Sequence, residues 1–234
     1  MCGRFAVTLP SDAMAQLFAA QPANDLPEVP QYNVCPTTQV HVVRLGEDSR
    51  RLVSMRWGFV PRWYKSESRG PLLINARAET VAEKPAFRAA CRNRRCLIPA
   101  SGFFEWTKDA DGARLPWYIT RRDGAAIAFA GIWQSWEARD PDAKAEGPMD
   151  TCAIVTTAAN STMGAIHHRM PLVLEAEDWP LWLGEEGRGA ARIMQPGAED
   201  VLEFTRVDPA VNSSRASGPA LIEPLEEDGT AAGN

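Results

Sequence analysis

The sequence predicts an α+β domain that is mainly β, built of compact, barrel-like twisted sheets with a few flanking helices. Three observations carry this reading. Short runs of alternating or β-branched apolar residues recur along the chain, bounded by Gly, Pro, Asn or Asp. Helical periodicity is confined to brief stretches, and no strand alternates with a long helix, which disfavours a doubly wound parallel sheet. The 234 residues, 45% hydrophobic and 24% charged, have ordinary globular composition and suffice for one buried core.

Taken in order, residues 4–8 form a first strand, and Ser11 or Asp12 caps a helix reaching about Ala20. Pro22, Pro27, Pro30 and Pro36 then punctuate an extended loop. Residues 39–44 and 51–57 alternate as a hairpin around Gly46-Glu47-Asp48. Residues 72–78 are a strand, 85–92 a short helix, and 95–98 and 102–107 strands. The turn Asp109-Ala110-Asp111-Gly112 leads into a strand at 117–120, and 125–136 and 151–157 complete the set. Residues 175–183 and 187–194 are expected helices. From Ser213 the composition turns polar and small, so the expected domain is 1–224 and 225–234 a disordered tail. No internal repeat divides the chain.

Composition narrows the functional classes. No secretory h-region follows Met1, and the longest apolar stretch, 125–133, is too short for a membrane helix. A cytoplasmic protein with no membrane partner is expected. The five cysteines (2, 35, 91, 96 and 152) are odd in number and suggest no disulfide framework, while His41, His167 and His168 supply no matching pair for a zinc site. No metal or organic cofactor is called for. The net charge of −5 argues against a generic nucleic-acid binder, yet residues 1–122 carry +7 and 123–234 carry −12. The first half can therefore present a basic face, or be basic without any such role.

Five constellations carry chemistry. Cys2 becomes the first residue wherever Met1 is removed, and an N-terminal cysteine is a 1,2-aminothiol that closes a thiazolidine on an aldehyde; alternatively it is simply the residue after the start. In Ile74-Asn75-Ala76-Arg77-Ala78-Glu79 the polar residues share one face of a strand and the small ones the other. Glu105 lies among aromatics in Phe103-Phe104-Glu105-Trp106, an environment suited to a proton shuttle. His167-His168-Arg169 couples acid/base capacity to a phosphate-sized cation, and Trp63 and Tyr64 beside Arg62 and Lys65 offer the stacking surface single strands use. Each has an ordinary structural alternative: a solvated strand face, a surface glutamate, a structural histidine, a core tryptophan.

Met1-Cys2-Gly3-Arg4-Phe5, Tyr32-Asn33-Val34-Cys35-Pro36, Trp57-Gly58, residues 74–80, 95–100 through Glu105-Trp106, Ile154-Val155-Thr156, His167-x-Arg169-Met170-Pro171 and Val211-Asn212 with Gly218-Pro219 together resemble, in order, the SOS-response-associated peptidase (SRAP) family. The resemblance spans residues 1 to about 224. It implies covalent capture of abasic sites in single-stranded DNA through Cys2, with no cofactor, by a compact β-rich monomer that is nucleoid-associated when bound. It further implies that Asn75 orients Cys2, that Glu105 shuttles protons and that His167 assists ring opening. Arg4, Arg77 and Arg169 would hold phosphates, Thr156 would belong to the same DNA surface, and Trp63 and Tyr64 would wedge or stack bases, with residues 65–70 a longer segment than in some relatives. The family name implies self-removal of Met1. Two other readings stay open: Met-Cys-Gly also begins class II glutamine amidotransferases, and a non-covalent reader of modified bases would leave Cys2 dispensable.

Overall fold

The computed structural model describes residues 2–66, 70–138 and 147–225. The first half of the chain contributes β1 (Phe5–Val7), α1 (Ser11–Leu17), β2 (Ala20–Pro22), β3 (Gln31–Val34), β4 (Gln39–Leu45), β5 (Arg50–Trp57), β6 (Asn75–Arg77), α2 (Arg88–Asn93), β7 (Arg95–Ala100) and β8 (Gly102–Lys108). The second contributes β9 (Arg114–Arg121), β10 (Ile127–Trp136), β11 (Met149–Ala158), α3 (Ser161–Gly164), β12 (Arg169–Pro171), α4 (Trp179–Leu183) and β13 (Leu202–Arg206). The predicted class holds: strands dominate and helices are short.

Five strands close on themselves. β10, β7, β4 and β5 are neighbours in antiparallel register; β11 then pairs antiparallel with β10 and parallel with β5. Closure removes the unpaired edges that an open sheet would expose. Cys96 through Ala100 on β7 and Ile127 through Ile132 on β10 are buried without alternation. The reason is a second layer: α4 packs outside the ring, where the Trp182 indole N–H donates to the Cys96 carbonyl at 2.8 Å. Gly131 is required at the tightest point, because a Cβ there would stand 2.8 Å from the Cys96 sulfur.

The second sheet runs β13-β9-β8-β1-β3. Its inner face, with Phe5, Phe103 and Ile119, joins the main core, whereas Ala6, Phe104 and Tyr118 on the outer face are covered by Val207, Val211 and Leu221. The stretch after Ser213 is therefore bound to the domain despite its polar composition. Asn33 donates through Nδ2 to the carbonyls of Ser213 and Ala216, at 3.1 and 2.7 Å. The expected tail falls, from residue 226 onward, outside the described residues.

Several sequence expectations need correction. The proline-punctuated loop contains β2 and β3, because Pro22 closes a strand and Pro30 precedes one. Pro10 occupies the cap position of α1 and no side chain caps it; the Ser11 hydroxyl instead meets His41 Nε2 at 3.2 Å. The helix expected at 187–194 is only a 3-10 turn, Ala190–Ile193, since Gly187 and Gly189 stand at positive φ just before it. Strands β12 and β13 were not expected at all; at three and five residues they are too short to show a period. Among the described residues, no helix is long and apolar enough to cross a membrane.

Candidate active site at the end of the barrel

The site is built by one long strand changing partners. Thr151 and Cys152 of β11 pair with β5, whereas Ile154, Val155 and Thr156 pair in parallel with Asn75, Ala76 and Arg77 of β6. On its other edge β11 leaves β10 at Ile154 and is taken up by β12 through residues 156–158. Where β11 emerges from the ring, β6 and β12 thus flank it and bring Asn75, Arg77 and Arg169 into one neighbourhood.

Cys2 enters from the second sheet. Phe5 pairs with Phe103, and the Phe104 N–H donates to the Arg4 carbonyl at 2.9 Å, so continuing the register puts Gly3 opposite Glu105. Cys2 is fully buried, and Asn75 Nδ2 donates to its carbonyl at 2.9 Å. With Nδ2 so committed, Asn75 Oδ1 is a buried acceptor with no hydrogen-bond partner among the described residues. Burial pushes the Cys2 thiol well above its ordinary pKa, and the Glu105 carboxylate pushes the same way, outweighing the Arg4 N–H that favours the thiolate. Cys2 therefore sits as a neutral thiol.

Beside it opens a cleft of about 360 Å³, with Gly3, Arg4, Glu105 and His167 in its wall. Glu105 is 3% exposed. His167 follows α3 and begins the turn into β12; its Nδ1 lies 3.0 Å from both the N–H and the carbonyl of Arg169. Nδ1 accepts from that N–H in one tautomer and, carrying a proton, donates to that carbonyl in the other, so the same backbone holds the ring orientation either way. His168 stacks on it at 4.4 Å between centroids, and its own pKa is lowered, first by the neighbouring His167 charge.

The expected phosphate ligands differ in their surroundings. Arg77 is exposed at the end of β6. Arg169 is 8% exposed and is held by Glu79, with contacts of 2.5 and 3.0 Å, and by the carbonyl and hydroxyl of Thr156 at 2.6 and 3.2 Å. That charge-assisted bond lowers the Glu79 pKa. Thr156 itself is fully buried, so its hydroxyl positions Arg169 and is closed to solvent. Arg4 is half-buried, donating to Asn33 Oδ1 at 2.7 Å and the Val211 carbonyl at 3.0 Å. Trp63 is 53% exposed; Tyr64 is half-buried with its carbonyl accepting from the Trp136 indole. Neither of these two is among the residues that line the cleft.

Sequence reasoning grouped Glu79 with Asn75 and Arg77 on one strand face, but β6 ends at Arg77 and Glu79 lies in the turn that follows, where it meets Arg169. Asn33 and Val211, which hold Arg4, lie 29 and 207 residues from it and leave no local trace. Among the described residues, no three His, Cys, Asp or Glu side chains converge as a metal site would require.

Comparison with known proteins fits this arrangement. The chain is 35% identical over 229 residues to the abasic site processing protein YoqW of Bacillus subtilis, covering 95% of this chain and 99% of that one. It is 34% identical over 233 residues to the abasic site processing protein YedK of Escherichia coli, covering 96% and 100%. A crystal structure of a Bacteroides thetaiotaomicron protein shares the fold with a TM-score of 0.81 at 24% identity, over 96% of this chain and all of that one. The profile of the SOS response associated peptidase (SRAP) family matches residues 1–214, and the chain belongs to that family.

Proposed function

We propose that this protein senses abasic sites in single-stranded DNA and captures them covalently through Cys2, shielding the lesion. The observation that carries the reading is Cys2 itself: a buried neutral thiol whose carbonyl is fixed by Asn75, beside a cleft walled by Glu105 and His167. Its relatives' names, abasic site processing proteins, point to the same lesion.

The chemistry follows from the protonation states. A thiol held neutral is a poor first nucleophile, so once Met1 is removed the Cys2 α-amine, with an ordinary pKa near 7.7–8.0, attacks first. The amine adds to C1′ of the ring-opened deoxyribose aldehyde to give a carbinolamine. Loss of water leaves an imine. The thiol sulfur then adds to the imine carbon and its proton passes to the nitrogen, closing the thiazolidine; the balance is aminothiol plus aldehyde giving thiazolidine plus water. In this reading Glu105 moves the thiol proton and His167 assists ring opening and dehydration. Asn75 Oδ1, which has no partner among the described residues, accepts the N–H of the adduct. Self-removal of Met1, the peptidase activity of the family name, falls to the Cys2 thiol, because the Cys2 nitrogen is the amide to be cut: the sulfur takes the Met1 acyl group, the amine is freed, and water releases methionine and restores the thiol. Arg77, with Arg4 and Arg169, supports the phosphates, and Trp63 with Tyr64 stacks bases. The protein acts as a cytoplasmic monomer, without cofactor.

A denaturing gel with an abasic single strand tests the reading. Wild type gives a denaturation-resistant adduct whose mass equals protein without Met1 plus DNA minus one water. Ammonia release from glutamine without any adduct would replace this reading by an amidotransferase, and reversible binding alone would make the protein a non-covalent reader.

A further inference from the structure

Resting on that reading, we propose that Lys108 and Arg114 form a phosphate-binding lip for the DNA strand as it leaves the reactive cleft. Trp106, Lys108, Arg114 and Pro116 share the outer face of the β8–β9 pair, since Trp106 stands opposite Pro116 and Lys108 opposite Arg114. This row continues the one that begins with Arg4, and Lys108, Arg114 and Trp106 line the same cleft as Glu105 and His167.

Two like charges placed directly opposite on an antiparallel ladder destabilise it. Both side chains are exposed, and among the described residues neither forms an ion pair that would offset the repulsion. Arg114 is nevertheless held in place. Its guanidinium lies over the Trp106 ring at 4.6 Å, and that of Arg4 lies at 5.9 Å from the same ring. Asn212 clamps the arrangement: its Oδ1 accepts from the Trp106 indole at 2.6 Å and its Nδ2 donates to the Arg114 carbonyl at 3.3 Å. Two cations opposite each other on a cleft edge, Arg114 preorganised by stacking and Lys108 beside it, with no ion pair among the described residues, suit an anionic chain of regular spacing. With the cleft taking the abasic sugar, the flanking backbone phosphate is the anion within reach.

Salt titration of binding to an undamaged, non-reactive single strand tests this without relying on covalent chemistry. The Lys108→Gln/Arg114→Gln variant is expected to flatten the slope of log affinity against log salt by about 1.4, two contacts at about 0.7 each. Lys108→Gln/Arg114→Lys, which keeps one of the two charges, should restore about half of that loss. Melting curves of the variants check that the domain is intact. An unchanged slope in a folded double variant overturns the lip. Wild-type adduct formation, scored in parallel, reports separately on the covalent reading, so failure of one is not mistaken for failure of the other.

Discussion

The closed ring and the corner where β11 leaves it both bury cysteine, and the contrast separates packing from chemistry. Cys96 and Cys152 sit in the ring, fully buried, with thiols pushed up by burial. Cys2 is equally buried and its thiol is pushed up as well. What differs is the surroundings. The ring thiols lie in apolar packing, whereas Cys2 has a carboxylate acting on its sulfur, an amide on its carbonyl and an open cleft next to it. Burial alone makes any thiol a weak acid; the corner adds proton carriers and access, and the proposed reactivity comes from the amine those carriers serve.

The sharpest way to break the comparison is substitution at both places. Cys2→Ala should abolish the denaturation-resistant adduct, while Cys96→Ala and Cys152→Ala should leave adduct yield intact and lower stability by about 1–2 kcal/mol through lost packing. An undiminished adduct in Cys2→Ala would sink the mechanism.

Next in size is the ring itself. Trp57 is fully buried at the end of β5 and donates from its indole to the Ile74 carbonyl at 3.1 Å. Trp57→Ala should cost about 3–5 kcal/mol in urea unfolding. It should impair the corner too, because Ile74 leads directly into β6. A loss under 1 kcal/mol would mean that β5 and β6 are held independently.

The ring side carries a pH effect of its own. Burial lowers the His41 pKa from 6.5 to about 4, opposed by a bond to the Pro27 carbonyl. The unfolded chain therefore takes up a proton below 6.5 that the folded protein refuses until about 4. Stability is full above pH 6.5 and declines as pH falls towards 4, by about 2–3 kcal/mol. The melting temperature of wild type should fall across that window while that of His41→Gln stays flatter. A wild-type curve as flat as the variant's would reject the assignment.

At the corner the effects are smaller. Asn75→Ala removes the bond to the Cys2 carbonyl; stability should fall by about 1 kcal/mol, while the rate of adduct formation should fall by about tenfold, equivalent to about 1.4 kcal/mol of barrier. Equal rates in the two proteins would show that Cys2 is oriented by packing alone. Smallest is Arg77→Ala, which should leave stability unchanged and flatten the salt slope of strand binding by about 0.7. Arg169→Ala should instead lower the melting temperature, since it leaves Glu79 and Thr156 without their partner.

Much of this was legible in the sequence where the signal is local. The ends of the hairpin at Gln39–Leu45 and Arg50–Trp57 were placed within a residue, although residues 40–43 are buried without alternation. Period two put Asn75 and Arg77 on one face but did not show that the strand ends before Glu79. What escaped depends on partners distant in sequence. No local pattern says that β6 will pair with β11, that Arg169 will be spent on Glu79, or that Val211 and Leu221 will cover Phe104. Thr156 illustrates the limit: a threonine in an apolar strand looks alike whether it faces DNA or a buried guanidinium.

The handover of β11 from β5 to β6 also makes the segment between them a replaceable cassette. The Gly58 N–H bonds to the Cys152 carbonyl and the Ile154 N–H to the Ile74 carbonyl, so the segment leaves and rejoins one strand within two residues, roughly 7 Å. Phe59 and Leu73 pinch its base shut with a bond of 2.9 Å. Val60, bonded to Thr151 and Gln134, and Tyr64, whose carbonyl holds the Trp136 indole, tie the near part of the segment to the barrel, whereas between Tyr64 and Pro71 its length can change while Asn75 keeps its place, because loop closure costs grow only slowly with length. The fold thereby lets its reach towards a substrate diversify independently of its reactive centre, and a designer could graft new recognition there without disturbing Cys2.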